Sequence, residues 1–155
     1  MIRINVITNN PNWLRYIKYP NNYLNRRIKK INLKDKELKK NKIYCSLLLS
    51  GDREIKYLNK KFRKKNISTD VLSFPFLTKK ELKKGLKEKK ELYLGGIIVN
   101  LNKIRKKNEN LFFKSEFDRL WIHGLVHLFG HDHKKYNEYL RMNKIEKKYL
   151  KFING

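Results

Sequence analysis

Hydrophobic and polar residues alternate along the chain with two different periods, which predict alternating strands and helices. A period of two, typical of a strand with one buried face, covers Ile2–Thr8. Lys42–Ser50 is mostly apolar, as expected of a well-buried strand. Two further strands are predicted over Asp70–Phe76 and Glu91–Asn100. Because no repeat or shift in composition interrupts the pattern, the sequence predicts a single domain over residues 1–155.

Four residues qualify the predicted strands. Pro75 cannot donate a backbone hydrogen bond, so its strand is expected at a sheet edge or close to its own end. Gly95 and Gly96 indicate a bulge or a close approach of two backbones. Cys45 is the only cysteine and lies in an apolar run, which favours a small buried residue and excludes a disulfide within one chain.

Helical spacing of apolar residues predicts several helices. The first covers Asn12–Ile31, although Pro20 is expected to interrupt it. Another ends near Phe62 and begins at Gly51 and Asp52, which supply a turn and an N-cap.

The C-terminal half contributes two more helices. Ser115–Phe129 lacks proline and is the best candidate for a central, buried helix. Asn137–Lys151 is amphipathic, and its predicted inner face consists of Leu140, Ile145, Tyr149 and Phe152. Residues 78–90 are polar enough for an exposed loop or a frayed helix, where RNA contact and simple solvation both stay open. The elements together indicate an α+β or mixed α/β layer.

The formal charge of +25 favours a phosphate-rich partner, because clustered lysine and arginine gain affinity by releasing counterions. A biased coding sequence explains the same charge without any partner, since Lys, Asn and Ile are frequent and Ala is absent. The first residues lack the apolar run of a signal sequence, and no stretch is long enough to span a membrane. We therefore expect a cytoplasmic protein with no membrane partner.

All four histidines lie in the segment "HGLVHLFGHDH", residues 123–133. His123 and His127 are four residues apart, so on a helix both rings project from one face. Gly130 is a natural left-handed terminator, after which His133 can turn back as a third ligand. Three histidine ligands with an open fourth position are typical of catalytic zinc.

The residues between these ligands leave alternatives open. Four histidines gathered by chance at a helix end would explain the segment without a metal. Asp132 either orients a ligand ring by accepting its N–H or caps the turn. His131 would be a rival third ligand on an unbroken helix, but it faces elsewhere if Gly130 ends the helix. The spacing is similar to that of metzincin peptidases, except that Gly124 stands where those enzymes carry their glutamate base.

Three segments together resemble the bacterial YbeY family of metal-dependent endoribonucleases. They are "LNKKFRKKNISTDVLSFPF" from residue 58, "LGGIIVN" from residue 94 and the histidine segment, and they occur in the family's order. The resemblance implies an α+β fold in which a small mixed β-sheet of about four strands packs with about five helices around a central metal-binding helix.

The resemblance also implies a site and a function. It assigns one zinc ion, or another divalent metal, to His123, His127 and His133, and it adds Arg63 to these histidines as a catalytic residue. The implied activity is single-strand-specific RNA cleavage in rRNA processing, at the 3′ end of 16S rRNA, and in ribosome quality control. The implied partners are the rRNA precursor, the small ribosomal subunit and ribosome-associated proteins. The residues expected to shape the same cleft are Thr69, Asp70 and Ser73.

The chain departs from the family pattern at three positions. His131 replaces a tyrosine, Ser68 replaces a proline, and Gly96 replaces an aspartate expected near the cleft. None of these is a proposed ligand, so the departures bear on substrate positioning. Two other functions stay open: a ribosome-assembly factor that binds RNA around a structural metal, and a metal-dependent hydrolase of another substrate. Of those substrates, Gly124 argues against peptides.

Overall fold

The computed structural model describes residues 1–155 and shows the α+β fold that the sequence predicts. It has four strands and five α-helices. In chain order they are β1 (Ile2–Thr8), α1 (Pro20–Lys34), β2 (Lys42–Ser50), α2 (Asp52–Arg63), β3 (Val71–Pro75), α3 (Lys79–Lys87), β4 (Glu91–Asn100), α4 (Asn110–Leu128) and α5 (Tyr136–Asn154). Short 3₁₀ turns lie at Pro11–Arg15, Leu38–Lys40 and Leu101–Lys103.

The four strands form one mixed sheet in the order β1-β2-β4-β3. β1, β2 and β4 run parallel, and β3 pairs antiparallel with β4 at the edge of the sheet. Pro75 is the last residue of this edge strand, as its missing N–H predicts. The predicted bulge is confirmed at Gly95, where φ is +132° and a Cβ atom would lie 2.0 Å from the Phe74 carbonyl oxygen.

The two faces of the sheet are covered by different helices. On one face α4 lies against β3 and β4, α1 lies against β1, and α5 packs on both of these helices. This side holds a core cluster that extends from Ile2 to Ile153 and includes the buried Cys45. On the other face Ile55 of α2 packs against Leu72 and Ile98 in a smaller cluster. α4 is therefore the central helix, with apolar residues on most of its circumference.

The interruption predicted at Pro20 is confirmed, because the segment before it does not form an α-helix. A 3₁₀ turn occupies Pro11–Arg15, and α1 then begins at Pro20, where a missing N–H and a fixed φ suit the first turn of a helix. The N-cap prediction for α2 is wrong for Asp52, because Gly51 is the N-cap and makes no side-chain cap bond. The Asp52 carboxylate instead accepts hydrogen bonds from Ser68 and Asn100.

Residues 78–90 form a helix rather than a loop. Thr78 and Glu81 make a reciprocal capping box at the start of α3, which satisfies two backbone donors. Leu82 of this helix is buried in the core and Leu86 packs against it, so the polar segment has an apolar face toward the sheet. None of the helices combines the length and the apolar character needed to cross a membrane.

The predicted inner face of α5 is confirmed at Tyr149, which is buried, and is wrong at Leu140. Leu140 is 46% exposed, and Ile145 and Phe152 are only partly buried. The residues that turn inward are Met142, Tyr149 and Ile153. Glu146 lies on the same helix face as these buried residues, since it follows Met142 by four residues and precedes Tyr149 by three.

Candidate metal centre

The last turns of α4 bring two histidine rings together. His123 and His127 are four residues apart on one helix face, and their ring centroids are 4.6 Å apart. The helix ends at Leu128, and Gly130 takes a left-handed conformation with φ at +90°. The chain then returns so that His133 joins the pair. One nitrogen from each of the three rings lies within 4.8 Å of the others.

Both helical histidines are tied through their Nδ1 atoms. The Nδ1 of His123 lies 2.7 Å from a carboxylate oxygen of Glu146, and the Nδ1 of His127 lies 2.9 Å from the carbonyl oxygen of His131. Each acceptor requires a proton on Nδ1, which leaves the Nε2 of a neutral ring with a lone pair. These two Nε2 atoms face each other at 3.1 Å.

This arrangement fits a metal ion better than it fits an empty cluster. Two lone pairs at 3.1 Å repel each other unless a cation lies between or beside them. Burial and, next, the charge of His123 lower the pKa of His127, so its neutral, ligating form is favoured. Neutral imidazole with its second nitrogen held by a carboxylate or a carbonyl is how proteins orient a histidine toward a metal.

The structure resolves the two residues that the sequence left open. Asp132 accepts a hydrogen bond from the backbone N–H of His133, which lowers the pKa of the Asp132 carboxyl, and so it caps the turn. His131 offers its carbonyl oxygen to His127, while its ring lines the cleft outside the group of converging nitrogens.

The histidines line a cleft with a volume of about 930 Å³. Its wall includes the predicted residues Thr69, Asp70 and Ser73. Its cations are Arg63, Lys65, Lys79 and Lys134. Only the carboxylates of Asp70 and Asp132 oppose them among the lining residues, so the charge balance of the cleft suits an anion.

Arg63 is one of the residues that line this cleft. It is the last residue of α2, and its Nη2 donates a 2.7 Å hydrogen bond to the carbonyl oxygen of Ser73 on β3. Its guanidinium carbon lies 5.8 Å from the centre of the Phe74 ring. These contacts hold a flexible side chain in one place and leave other guanidinium N–H groups for a ligand.

Gly124 lies where two backbones approach. A Cβ atom at this position would stand 2.5 Å from a methyl carbon of Ile97, and the Gly124 carbonyl accepts a hydrogen bond from the Ser73 hydroxyl. Residue 124 therefore faces the sheet, and a glutamate base of the peptidase kind has no room there.

The two remaining departures lie outside the histidine cleft. Gly96 precedes Ile97 on β4 and so lies on the opposite sheet face, where a Cβ atom would meet nothing within 4 Å. An aspartate at this position would share the sheet face of Phe74, with which Gly96 pairs across the strands. Ser68 donates to Asp52 and accepts from Asn100, so it belongs to the network at the start of α2.

Glu146 is the functional residue that the sequence reasoning missed. It would have been visible as a carboxylate at core spacing between Met142 and Tyr149, but the wrong phase assigned to α5 placed it off the inner face. Its partner His123 lies on a different helix, and no local spacing connects the two residues.

Comparison with known proteins places the chain among its relatives. A family model described as Endoribonuclease YbeY matches residues 10–154. A curated Endoribonuclease YbeY of Pelagibacter ubique is 40% identical over 155 residues, covering 99% of this chain and 97% of that protein. Another of the same name, from Thermodesulfovibrio yellowstonii, is 38% identical and covers 80% of this chain and 82% of its own length. A solution structure of a Thermotoga maritima protein matches with a TM-score of 0.52 and 26% identity, covering 99% of this chain and 89% of that one.

Proposed function

We propose that this chain is a metal-dependent endoribonuclease of rRNA processing, because it belongs to the endoribonuclease YbeY family. The observation that carries the proposal is the convergence of three histidine nitrogens within 4.8 Å in a cleft with four cationic residues. Nitrogen ligands of this kind suit a divalent transition metal, and the basic wall suits a phosphodiester backbone.

We propose zinc as the metal, with His123, His127 and His133 as its ligands. Three neutral imidazoles match the ligand set of catalytic zinc sites. When bound there, the ion would lower the pKa of a water molecule toward neutrality and polarise a phosphoryl oxygen. The Gly124 position supplies no carboxylate base, so this chemistry suits a substrate that needs none from that residue.

The residues around the histidines would bind and orient the substrate. Arg63 is always charged and planar, so it can hold a phosphate through two N–H groups while Ser73 fixes its position. As charge develops on the phosphoryl oxygens, a donor that is already in place stabilises it without reorganisation. Lys65, Lys79 and Lys134 would contact neighbouring phosphates of the same strand.

The finer parts of the proposal follow from the family. They are specificity for single-stranded RNA, maturation of the 3′ end of 16S rRNA, ribosome quality control, and work in the cytoplasm with the small ribosomal subunit and its proteins. We also treat residues 1–155 as one hydrolase domain, which the continuous core from Ile2 to Ile153 supports.

The deciding experiment combines metal analysis with RNA cleavage. Purified wild type, His127→Ala and Arg63→Ala are analysed for bound zinc and incubated with precursor rRNA. We expect wild type to carry about one zinc ion per chain and to cut, His127→Ala to lose both properties, and Arg63→Ala to keep the metal but lose most cleavage.

Two outcomes would contradict this function. Equal cleavage by all three proteins would show that the activity belongs to a contaminant. If His127→Ala loses zinc but still binds precursor rRNA and supports ribosome assembly in cells, the chain is a binding factor whose role does not need the metal.

A further inference from the structure

We propose that Glu146 is a positioning residue, which holds the His123 ring in the orientation and tautomer that metal binding requires. The inference rests on the metal site proposed above. The carboxylate of Glu146 lies 2.7 Å from the Nδ1 of His123 and therefore accepts the proton of that nitrogen. The Nε2 of the same ring is left free and faces His127.

The position of Glu146 on α5 shows that it is placed for this contact. Met142 and Ile153, four residues before and seven after, are 2% and 1% exposed, and Tyr149 is also buried. Glu146 thus occupies a position on an apolar stripe, where an unpaired carboxylate would be costly. The ring of His123 supplies the partner, and the pair joins α5 to the end of α4.

The charges near Glu146 add to this role. Arg119 lies one helical turn before His123 on α4, and its pKa is raised by hydrogen bonds with Glu116 and, to a smaller extent, by the charges of Asp70 and Glu146. Loss of the Glu146 charge would remove a carboxylate that contacts His123 and whose charge also acts on Arg119. We therefore expect the charge of Glu146 to matter as well as its hydrogen bond.

The two ligand rings are held by different kinds of acceptor. His127 is oriented by the backbone carbonyl of His131, which a side-chain substitution leaves in place. His123 is oriented by a side chain from another helix. Metal affinity should consequently depend on the docking of α5, through Glu146, although α5 contributes no ligand.

The test is zinc affinity, measured by competition with a chromophoric chelator. Glu146→Gln keeps the size and removes the charge. The matched control is Glu91→Gln at the start of β4, which removes an exposed carboxylate that pairs with Lys42. We expect zinc binding to weaken about tenfold to a hundredfold in Glu146→Gln and to stay at the wild-type value in the control. Equal affinity in wild type and Glu146→Gln would overturn the proposal.

Two further measurements separate this role from folding and from the metal site itself. Long-range ¹H–¹⁵N NMR of metal-free wild type should show His123 protonated on Nδ1, and protonation on Nε2 would overturn the proposal without any variant. If wild type binds zinc no better than His123→Ala, the metal site is wrong and the role of Glu146 falls with it. If wild type binds zinc more tightly than His123→Ala and Glu146→Gln binds it as tightly as wild type, only the role of Glu146 is wrong.

Discussion

Two groups of polar side chains lie at α4, and they differ in how fully their polar atoms are paired within the protein. The closed cluster consists of Asp118, Tyr23, Trp121 and Arg27. The open cluster consists of His123, His127 and His133. Asp118 and His123 are five residues apart on one helix, yet the first is 2% exposed in the core and the second lines the cleft.

Both carboxylate oxygens of Asp118 in the closed cluster have partners within the protein. The Tyr23 hydroxyl lies 3.0 Å from both carboxylate oxygens of Asp118, and the Trp121 indole N–H donates at 2.9 Å. The Nε of Arg27 forms an ion pair with the same carboxylate at 3.2 Å. These contacts join α1 to α4, and no atom of the carboxylate is left for a ligand.

The two helical histidines of the open cluster have acceptors for only half of their ring nitrogens. The Nδ1 atoms of His123 and His127 have acceptors, while their Nε2 atoms converge on each other. The difference shows that burial and polarity alone do not distinguish a structural cluster from a site. The distinguishing property is a set of convergent lone pairs that the protein itself leaves without a donor.

Removing a ligand should give the largest effect. We expect His133→Ala to lose zinc and to lower RNA cleavage about a thousandfold or more, because several kcal/mol of transition-state stabilisation disappears with the metal. His131→Ala is the matched control, since the carbonyl that orients His127 remains. Zinc content and single-turnover rates check both variants, and comparable losses in the two would break the assignment of ligands.

Opening the closed cluster should cost stability instead of activity. We expect Asp118→Ala to lower the free energy of unfolding by about 3 kcal/mol, since it leaves Arg27, Tyr23 and Trp121 without their shared acceptor. Urea unfolding at pH 7 measures the loss, and zinc affinity of the folded variant should match wild type. A loss of only about 0.5 kcal/mol, as for an ordinary surface substitution, would contradict the structural role.

Arg63 extends the open cluster to the substrate. We expect Arg63→Lys to lower kcat/KM for RNA about a hundredfold with zinc content unchanged, because an ammonium cannot replace a planar fork that Ser73 also holds. Lys64→Gln, which removes the next cation outside the cleft lining, is the control and should cut nearly as well as wild type. If the two variants lose similar activity, Arg63 acts only through general charge.

The smallest expected effect is a pH dependence of stability that arises from Asp118 in the closed cluster. Burial raises the pKa of Asp118 to about 6, above the value near 4 of an aspartate in an unfolded chain. Between these values the folded protein binds the proton more tightly, so the Asp118 contribution to stability increases as the pH is lowered from about 7 to 4, by about 2 kcal/mol. Urea unfolding of wild type and Asp118→Asn isolates this contribution as their difference. A difference that stays constant over this range would show that Asp118 does not titrate there.

The sequence predicted the features that depend on local order along the chain. All four strands were predicted from period-two and apolar runs, and the convergence of His123, His127 and His133 was predicted from helix spacing and from a left-handed Gly130. The phase of α5 was not predictable in this way. Leu140 is more hydrophobic than Glu146 by any transfer scale, yet the glutamate turns inward because a histidine of another helix is there to receive it.

The sequence by itself determined the four strands, the grouping of three histidines that could hold a metal ion and the basic character, since each follows from neighbours within a few residues. Only the tertiary structure decided that Arg63 meets the histidines in one cleft, that Gly96 lies on the other sheet face and that Glu146 orients His123. These relations join residues far apart in the chain, and they depend on strand order and helix rotation, which local periodicity leaves undetermined.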